Sequence, residues 1–429
     1  MMTHRKKPLS YAQALGQALM PAVPNFAPGA EYSDESRLFQ GIPSIECAPG
    51  GRLWATWYGG GQGESPLNYV MLATSVDDGK NWTPPVLVVD PPGHVRAVDP
   101  NVWLDPNGRL WLFWMQCHTL HDGRWGVWAM TTDDPGKERP AWSAPRRLAD
   151  GVMLNKPTVR GNGEWLFPIS HIPAKMLKNE KRMLPAFLRT YVLALMSPEE
   201  VLAVAEREGA CVYVSTDDGE TFNHRGRVRA SEECSTHNEH MIVERRDGSL
   251  WMLLRTSYGI GQSVSTDGGV TWSPVVESGI PHTSSRFHLR RLLSGRLLLV
   301  KNGPMALADA SGAANVFDRS HLTAFLSEDD GRSWSGGLLL EERGCTYPDA
   351  TEAPDGTIYI IYDHGRRKDK MILMAIFTEE DILAGKFVSP RARRTVLVNQ
   401  ATGVIPDEEN WSQFKGKDDP DEPLIFTGI

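Results

Sequence analysis

The feature that most constrains the fold is a repeated hairpin, in which a glycine precedes a strand rich in Trp, Leu, Ile and Tyr. Six copies begin at Gly51, Gly108, Gly163, Gly248, Gly295 and Gly356. Each glycine supplies the positive φ that a tight turn needs, so each copy predicts a two-stranded hairpin. The copies follow one another at similar intervals, except for a longer gap between Gly163 and Gly248. The chain of 429 residues therefore consists of six similar units rather than the two or three domains that length alone suggests.

A second motif, Ser-x-Asp-x-Gly-x-x-Trp/Phe, follows most of the hairpins and is called the Asp-box turn below. Four clean copies begin at Ser75, Ser215, Ser265 and Ser327, and a stretched copy runs from Thr131 to Trp142. The aspartate can accept backbone N–H bonds, the glycine opens the turn and the aromatic ring packs back against the sheet. We interpret these aspartates as turn-closing residues and not as catalytic ones.

Two hairpins in each unit give four strands, and six such units predict an all-β, six-bladed β-propeller. The long gap after Gly163 indicates an insertion in blade three at 172–209 with a capped, short helix. A second helix is predicted at 378–385. The expected organisation is an N-terminal extension at 1–37, the propeller at 38–403 and a C-terminal tail at 404–429.

Charge and composition exclude several classes of partner. The formal net charge of −8 argues against nucleic acid or an anionic membrane surface, because both require clustered positive charge. No apolar run is long enough to predict a membrane span. The N-terminus lacks a continuous apolar signal core, and the five scattered cysteines form no CxxC pair. We therefore expect a cytoplasmic protein with reduced thiols and neither a metal nor a cofactor.

The strand ends are predicted to carry polar side chains to one mouth of the propeller. The start of each first strand and the end of each second strand share a face, because one hairpin joins them, whereas the Asp-box turns lie on the opposite face. The expected mouth residues are Gln40, Gly41, Tyr58, Asp99, Gln116, His118, Lys156, His171, Asn238, Glu239, Arg255, Arg286, His288, Lys301, Asn302, Tyr347, Asp349, Asp363 and His364. A set this polar favours a pocket for a polar ligand at the propeller axis.

Four Asp-box turns on six propeller units resemble the sialidase superfamily over nearly the whole chain. Residues 238–255 resemble the sialidase segment that supplies a pocket glutamate and the second carboxylate-binding arginine. Residues 319–349 resemble the segment with the third arginine and the nucleophilic tyrosine, and residues 358–363 resemble the strand that ends in the acid steadying the first arginine. The resemblance implies a carbohydrate substrate.

The resemblance also implies a catalytic set. Tyr347 corresponds to the nucleophile, Glu239 to the base that activates it, and Glu64 falls near the place of the general acid, with Asp99 and Asp349 as alternatives. The substrate-binding residues implied by the resemblance or placed near the mouth are Arg255, Arg319, Arg96, His94, Asp99, Arg286, Asp349 and Asp363. For a neutral sugar, the catalytic residues would instead be a carboxylate pair, Glu239 with Asp349 or Asp363.

One departure from the family pattern bears on the substrate. Sialidases open with Phe-Arg-Ile-Pro, whereas this chain reads Phe39-Gln40-Gly41-Ile42-Pro43, so Gly41 stands in place of the first arginine. The loss of one charge-assisted bond costs about 1.5–3 kcal/mol unless Arg96, Arg286 or Arg290 replaces it. The run Arg366-Arg367-Lys368 is interpreted as a solvated turn.

We expect a sialidase-like exo-glycosidase that hydrolyses a terminal acidic sugar from a glycan or oligosaccharide. The missing arginine argues against ordinary sialidase activity. Two alternatives stay open at this point. One is a carbohydrate-binding propeller without catalysis, and the other is a polysaccharide lyase on the same scaffold.

Overall fold

The computed structural model describes residues 16–61, 63–65, 67–93, 95–118, 125–172, 206–305 and 318–404. Within these residues, 24 strands form six separate four-stranded antiparallel sheets. Each sheet is a meander of consecutive strands, which is the blade of a propeller. The predicted all-β, six-bladed β-propeller is therefore confirmed. Most of the predicted helical insertion at 172–209 lies outside the described residues, as do nearly all of the C-terminal tail and the start of the N-terminal extension.

The first three blades occupy the N-terminal half of the chain. Blade one contains β1 (Phe39–Cys47), β2 (Leu53–Gly60), β3 (Tyr69–Ser75) and β4 (Leu87–Val89). Blade two contains β5 (Val95–Leu104), β6 (Leu110–His118), β7 (Gly126–Thr132) and β8 (Arg146–Asp150). Blade three contains β9 (Thr158–Val159), β10 (Trp165–His171), β11 (Gly209–Ser215) and β12 (Asn223–Val228).

The last three blades follow in the same order. Blade four contains β13 (Ser235–Glu244), β14 (Leu250–Thr256), β15 (Gly259–Ser265) and β16 (Val276–Glu277). Blade five contains β17 (His288–Arg291), β18 (Leu297–Asn302), β19 (Leu322–Ser327) and β20 (Ser335–Glu341). Blade six contains β21 (Cys345–Glu352), β22 (Ile358–His364), β23 (Met371–Phe377) and β24 (Arg393–Gln400).

The two repeated motifs form the turns that they predict. All six hairpin glycines have φ between 81° and 88°, a conformation that favours glycine. In the first Asp-box turn, the Asp77 carboxylate accepts a hydrogen bond from the Asn81 backbone N–H at 2.9 Å and another from Ser75 Oγ at 2.9 Å. The register pairs Leu53, which follows the hairpin glycine, with Ser75. The Asp-box turns therefore lie at the opposite end of the blade from the mouth.

Helices make a small contribution to the described structure. Two 3-10 helices, Ala30–Tyr32 and Asp34–Ser36, precede the first blade. One α-helix, α1 (Glu379–Ala384), follows β23 and lies where the sequence predicts it. Thr378 is its N-cap residue, and the Asp381 side chain accepts from the Thr378 N–H at 2.8 Å, as in a capping box. No helix in the described residues is long and apolar enough to cross a membrane.

The ring closes through contacts between the first and last blades, since every blade is built from consecutive strands. The Ile42 N–H donates to Asp363 Oδ2 at 2.8 Å, and Ser44 Oγ donates to Asp349 Oδ2 at 2.6 Å. The backbone N–H of Thr402 donates to the Asp34 carbonyl at 2.8 Å. Closure therefore brings the start of β1 against β21 and β22, next to the propeller axis.

Candidate active site

Four of the six first strands break their pairing at equivalent positions near the mouth. The register shifts between Gly41 and Ser44 in β1, Val98 and Asn101 in β5, Asn238 and Met241 in β13, and Thr346 and Asp349 in β21. Bulges of this kind re-aim side chains and are common beside active sites. Each break contains a residue other than glycine with positive φ: Ile42 at 52°, Asp99 at 49°, Glu239 at 42° and Tyr347 at 55°.

These four strained residues all line one cavity at the axis, with a volume of about 270 Å³. A residue in such a conformation costs on the order of 1–3 kcal/mol, which the packed blades must hold in place. The remaining lining residues are Tyr58, Glu64, Arg96, Val98, Met115, Trp125, Val152, Leu154, Ile172, His237, Arg255, Arg319 and Arg366. The cavity thus contains four arginines and three carboxyl groups beside an apolar wall.

A tyrosine, a glutamate and an arginine form the core of this cavity. The Tyr347 hydroxyl donates a hydrogen bond to Glu239 Oε1 at 2.9 Å. The Arg255 guanidinium donates to the same oxygen at 3.0 Å and to the Tyr347 hydroxyl at 3.3 Å. A phenol in hydrogen-bond contact with a carboxylate is the geometry of a nucleophile beside its base.

The surroundings of Tyr347 and Glu239 favour a protonated phenol and an ionised carboxylate. Burial raises the pKa of Tyr347 to about 12, and the neighbouring Glu239 carboxylate adds to the effect. Burial alone would raise the pKa of Glu239, but Arg255, His237 and the Tyr347 hydroxyl outweigh it and the pKa lies below its ordinary value. Near neutral pH, Tyr347 is therefore a neutral donor and Glu239 an ionised acceptor.

Arg366 also lines the cavity, which corrects the interpretation of 366–368 as a solvated turn. Arg367 and Lys368 are exposed, but Arg366 is half-buried and its guanidinium carbon lies 4.2 Å from the centroid of the Tyr347 ring. Arg366 Nε donates to Asp363 Oδ2 at 2.8 Å, and another guanidinium nitrogen donates to Thr346 Oγ1 at 3.0 Å. An ion pair with Asp363 draws the side chain out of water and into the cavity.

Two further carboxyl groups face the cavity, and their surroundings differ. Asp99 is half-buried, and burial together with the nearby Glu64 raises its pKa to about 7, although Arg96 opposes the shift. The side chain of Glu64 is 48% exposed, and its Oε1 lies 3.8 Å from a terminal nitrogen of Arg366. Arg96 lies behind them and donates to the sulfur of Cys117 at 3.3 Å.

Arg319 approaches the cavity from blade five. Its guanidinium donates to the Ser284 carbonyl at 3.0 Å, and Nε of Arg255 donates to the Ser284 hydroxyl at 3.4 Å. Both arginines therefore share one loop residue and are held side by side. The structure brings together seven predicted site residues: Glu64, Arg96, Asp99, Glu239, Arg255, Arg319 and Tyr347.

Three predicted substrate-binding residues, Arg286, Asp349 and Asp363, are not among the lining residues of the cavity. Asp349 is buried in an ionic network with Lys156 at 3.3 Å and Arg286 at 3.5 Å. Burial alone would raise the pKa of Asp349, but Lys156, His288 and Arg286 lower it well below its ordinary value. Arg286 also donates to the Tyr347 carbonyl at 3.4 Å.

These placements correct the expected roles. Arg286 and Asp349 support the strand that carries Tyr347, because strands that converge at the axis must pair their charges when no water reaches them. Asp363 holds Arg366 and the Ile42 N–H instead of facing the cavity. The predicted residue His94 lies outside the described residues.

Sequence reasoning missed Arg366, His237 and Trp125 as cavity residues. The signal for Arg366 was available, since Asp363 was expected to steady an arginine that position 41 lacks. His237 directly precedes the predicted mouth residues Asn238 and Glu239 on β13, so the same pattern could have indicated it, whereas Trp125 lies before β7, outside the repeated motifs. Among the described residues, no group of three or more His, Cys, Asp or Glu side chains could hold a metal ion.

A family model described as a BNR repeat-like domain matches residues 51–360. The chain belongs to this BNR repeat-like family. A curated sialidase from Micromonospora viridifaciens is 29% identical to it over 168 residues, covering 37% of this chain. This BNR repeat-like chain spans only 24% of the length of that sialidase in the match.

Solved structures with the same fold include three informative ones. A protein of unknown function from Dyadobacter fermentans has a TM-score of 0.56 at 18% identity, covering 77% of this chain and 92% of its own. An intramolecular trans-sialidase from Ruminococcus gnavus has a TM-score of 0.53 at 15% identity, covering 82% and 96%. The NanB sialidase from Streptococcus pneumoniae has a TM-score of 0.52 at 12% identity, covering 80% and 67%. These likenesses show a sialidase-like propeller fold.

Proposed function

We propose that this protein is a sialidase-like exo-glycosidase that removes a terminal acidic sugar from a glycan or oligosaccharide. The observation that carries the proposal is the hydrogen bond of 2.9 Å between the Tyr347 hydroxyl and Glu239 in a cavity lined by four arginines. The family membership and the sialidase relative support the same reaction class.

In the first step, Glu239 takes the proton of the Tyr347 hydroxyl while the phenolic oxygen attacks the anomeric carbon. The bond between that carbon and the leaving oxygen breaks, and a cavity carboxylic acid protonates the leaving oxygen. The product is a sugar covalently attached to Tyr347. A neutral phenol suits this task, because an anionic nucleophile would be repelled by the acidic group of the sugar.

In the second step, a water molecule attacks the anomeric carbon and gives its proton to the carboxylate that previously served as acid. The bond to Tyr347 breaks, and the phenolic oxygen takes its proton back from Glu239. The sugar leaves with the oxygen of water at its anomeric carbon. Two displacements at one carbon give net retention of configuration.

Asp99 is our candidate for the acid that protonates the leaving oxygen. Its pKa of about 7 leaves much of it protonated at neutral pH, as a general acid requires. The exposed Glu64 lines the same cavity and is the competing candidate. The four arginines suit an anionic sugar, and the wall formed by Trp125, Met115, Val152 and Leu154 suits an apolar substituent on it.

A glycoside panel with covalent trapping tests the proposal. The panel contains 4-methylumbelliferyl glycosides of N-acetylneuraminic acid, glucuronic acid and the neutral sugar galactose. We expect release of the fluorophore from an acidic glycoside and none from the galactoside. A glycosyl fluoride of the accepted sugar, with a second fluorine on the carbon next to the anomeric carbon, should accumulate on the enzyme, and peptide mass spectrometry should locate it on Tyr347.

A matched tyrosine variant distinguishes chemistry from packing. Tyr347→Phe should abolish trapping, whereas Tyr362→Phe makes the same substitution at a fully buried core position on β22 and should leave turnover unchanged. Turnover that survives in Tyr347→Phe would refute the tyrosine mechanism. A product with an unsaturated ring would indicate a lyase, and binding without turnover of any glycoside would indicate a carbohydrate-binding propeller.

A further inference from the structure

Gly41 and Arg366 compete for the same space at the rim of the cavity. A Cβ atom added to Gly41 would lie 2.8 Å from Cδ and 2.9 Å from Nε of Arg366. Real Cβ atoms do not approach other atoms this closely, so any larger residue at 41 would have to displace the arginine. The two positions lie near opposite ends of the chain and meet only because blade one closes against blade six.

Arg366 is held in this space by several independent contacts. Asp363 Oδ2 accepts from its Nε at 2.8 Å and also from the Ile42 N–H at 2.8 Å. The Arg366 carbonyl accepts from the Gln40 N–H at 3.2 Å. One carboxylate thus fixes both the guanidinium and the backbone beside Gly41, so the arginine is pre-organised rather than mobile.

The remaining end of the guanidinium is directed at the cavity. Nη1 of Arg366 lies 3.8 Å from Glu64 Oε1, which is too long for a hydrogen bond. The guanidinium carbon also lies 4.2 Å from the centroid of the Tyr347 ring, and Arg255 donates to the hydroxyl of the same residue. Arg366, Arg255 and Arg319 line the same cavity as Tyr347 from blades six, four and five, and an anion bound between them would offset their mutual repulsion.

We infer that Arg366 binds the acidic group of the sugar together with Arg255 and Arg319, and that Gly41 is the residue that makes room for it. This inference rests on the proposed function. It replaces the expectation that Arg96, Arg286 or Arg290 would supply the missing cation. Position 41 lacks an arginine, and the turn after β22 supplies one to the cavity instead.

Binding measurements with a charged and an uncharged version of one ligand test the inference. The probes are 2,3-didehydro-2-deoxy-N-acetylneuraminic acid and its methyl ester, titrated calorimetrically into the full chain. Removing one charge-assisted arginine contact should weaken binding of the acid by roughly tenfold to a hundredfold in Arg366→Ala. The same substitution should leave the affinity for the ester nearly unchanged.

Three further variants make the result specific. Arg366→Lys keeps the charge but not the two-pronged geometry, so it should recover only part of the affinity for the acid. Arg367→Ala removes the adjacent, exposed arginine of the same turn and should bind the acid like the wild type. Gly41→Arg and Arg366→Gly should each lose affinity, and the double variant Gly41→Arg/Arg366→Gly should recover it by at least tenfold.

The outcomes separate the inference from the proposed function. If the wild type neither binds the acid nor cleaves any acidic glycoside, both are overturned. If the wild type binds the acid and Arg366→Ala binds it equally well, only the inference is overturned. An equal loss of affinity for acid and ester in a folded Arg366→Ala, judged by thermal melting, would assign a purely structural role and also overturn it.

Discussion

Replacing Glu239 by Gln isolates the base that the mechanism requires. The amide keeps the shape of the side chain and can still accept hydrogen bonds from Tyr347 and Arg255, which now contact Glu239 Oε1 at 2.9 and 3.0 Å. It cannot accept a proton. The substitution therefore removes the chemistry while changing the packing little.

The pKa of Tyr347 gives the size of the effect. A phenol with a pKa of about 12 lies about five pKa units above neutral pH, so its ionisation at pH 7 costs about 7 kcal/mol at 1.36 kcal/mol per unit. Concerted proton transfer to a positioned base contributes a factor of about 10²–10⁴ in rate. We expect Glu239→Gln to lower kcat by roughly that factor.

The assay is kcat as a function of pH on the acidic glycoside that the wild type accepts. In the wild type, Glu239 stays ionised well into the acid range because its pKa is lowered, so it does not limit the rate near neutrality. In Glu239→Gln, solvent must remove the proton, so kcat should rise about tenfold per pH unit up to about pH 7, above which loss of the Asp99 proton offsets the gain. Glu244→Gln, on the same strand but in an ion pair with Arg160, is the matched control.

Thermal melting of the same variants shows whether each of them is folded. Leaving Arg255 without its carboxylate removes a buried ion pair, and breaking such pairs costs up to about 3–5 kcal/mol. A folded Glu239→Gln whose kcat stays within tenfold of the wild type, with a flat pH profile, would refute Glu239 as the base.

Three further predictions concern the acid, the buried network and the Asp-box turns. Asp99→Asn should lower kcat and remove a basic limb near pH 7, since a raised pKa keeps the acid protonated below that value; a limb lost instead in Glu64→Gln would reassign the acid. Asp349→Asn should lower the free energy of unfolding by about 3–5 kcal/mol, measured by urea denaturation, because it leaves Lys156 and Arg286 buried without their shared carboxylate; an unchanged urea midpoint would contradict this. The aspartates of the four clean Asp-box turns have pKa values of about 2, lowered chiefly by side-chain hydrogen bonds such as that between Asp217 and Thr221, so their stabilisation is present above pH 4 and lost as the pH falls towards 2. Melting temperatures measured from pH 5 to 2 should fall over that window, and less steeply in Asp217→Asn; equal slopes would contradict the assignment.

Much of the fold was predictable because its signals are local. Gly108 adopts positive φ two residues before β6 begins, and Asp77 closes its turn with atoms only four residues away. Six copies of the hairpin glycine and four clean Asp-box turns are enough to specify a propeller. The register of each hairpin then carries Tyr347 and Glu239 to the mouth.

The residues that sequence reasoning misplaced depend on contacts between distant blades. Asp349 lies two residues after Tyr347 on β21, and Arg286 lies two residues before β17, so spacing alone could not tell residues that line the cavity from residues that support it. Which of them faces the ligand is decided by the bulges and by the ionic network with Lys156. These features exist only when six strands converge.

The sequence by itself determined the blade count and the turns, because strand alternation and turn chemistry act over a few residues, and its resemblance to sialidases pointed to Tyr347 and Glu239. Only the tertiary structure decided where the positive charge lies. In the sequence, Gly41 indicates that an arginine is missing and a function lost, and Arg366 indicates a surface turn. Ring closure places Arg366 within 2.8–2.9 Å of the position that a Cβ at 41 would occupy, and Asp363 holds it there. That juxtaposition depends on packing between the first and last blades, which no local pattern encodes.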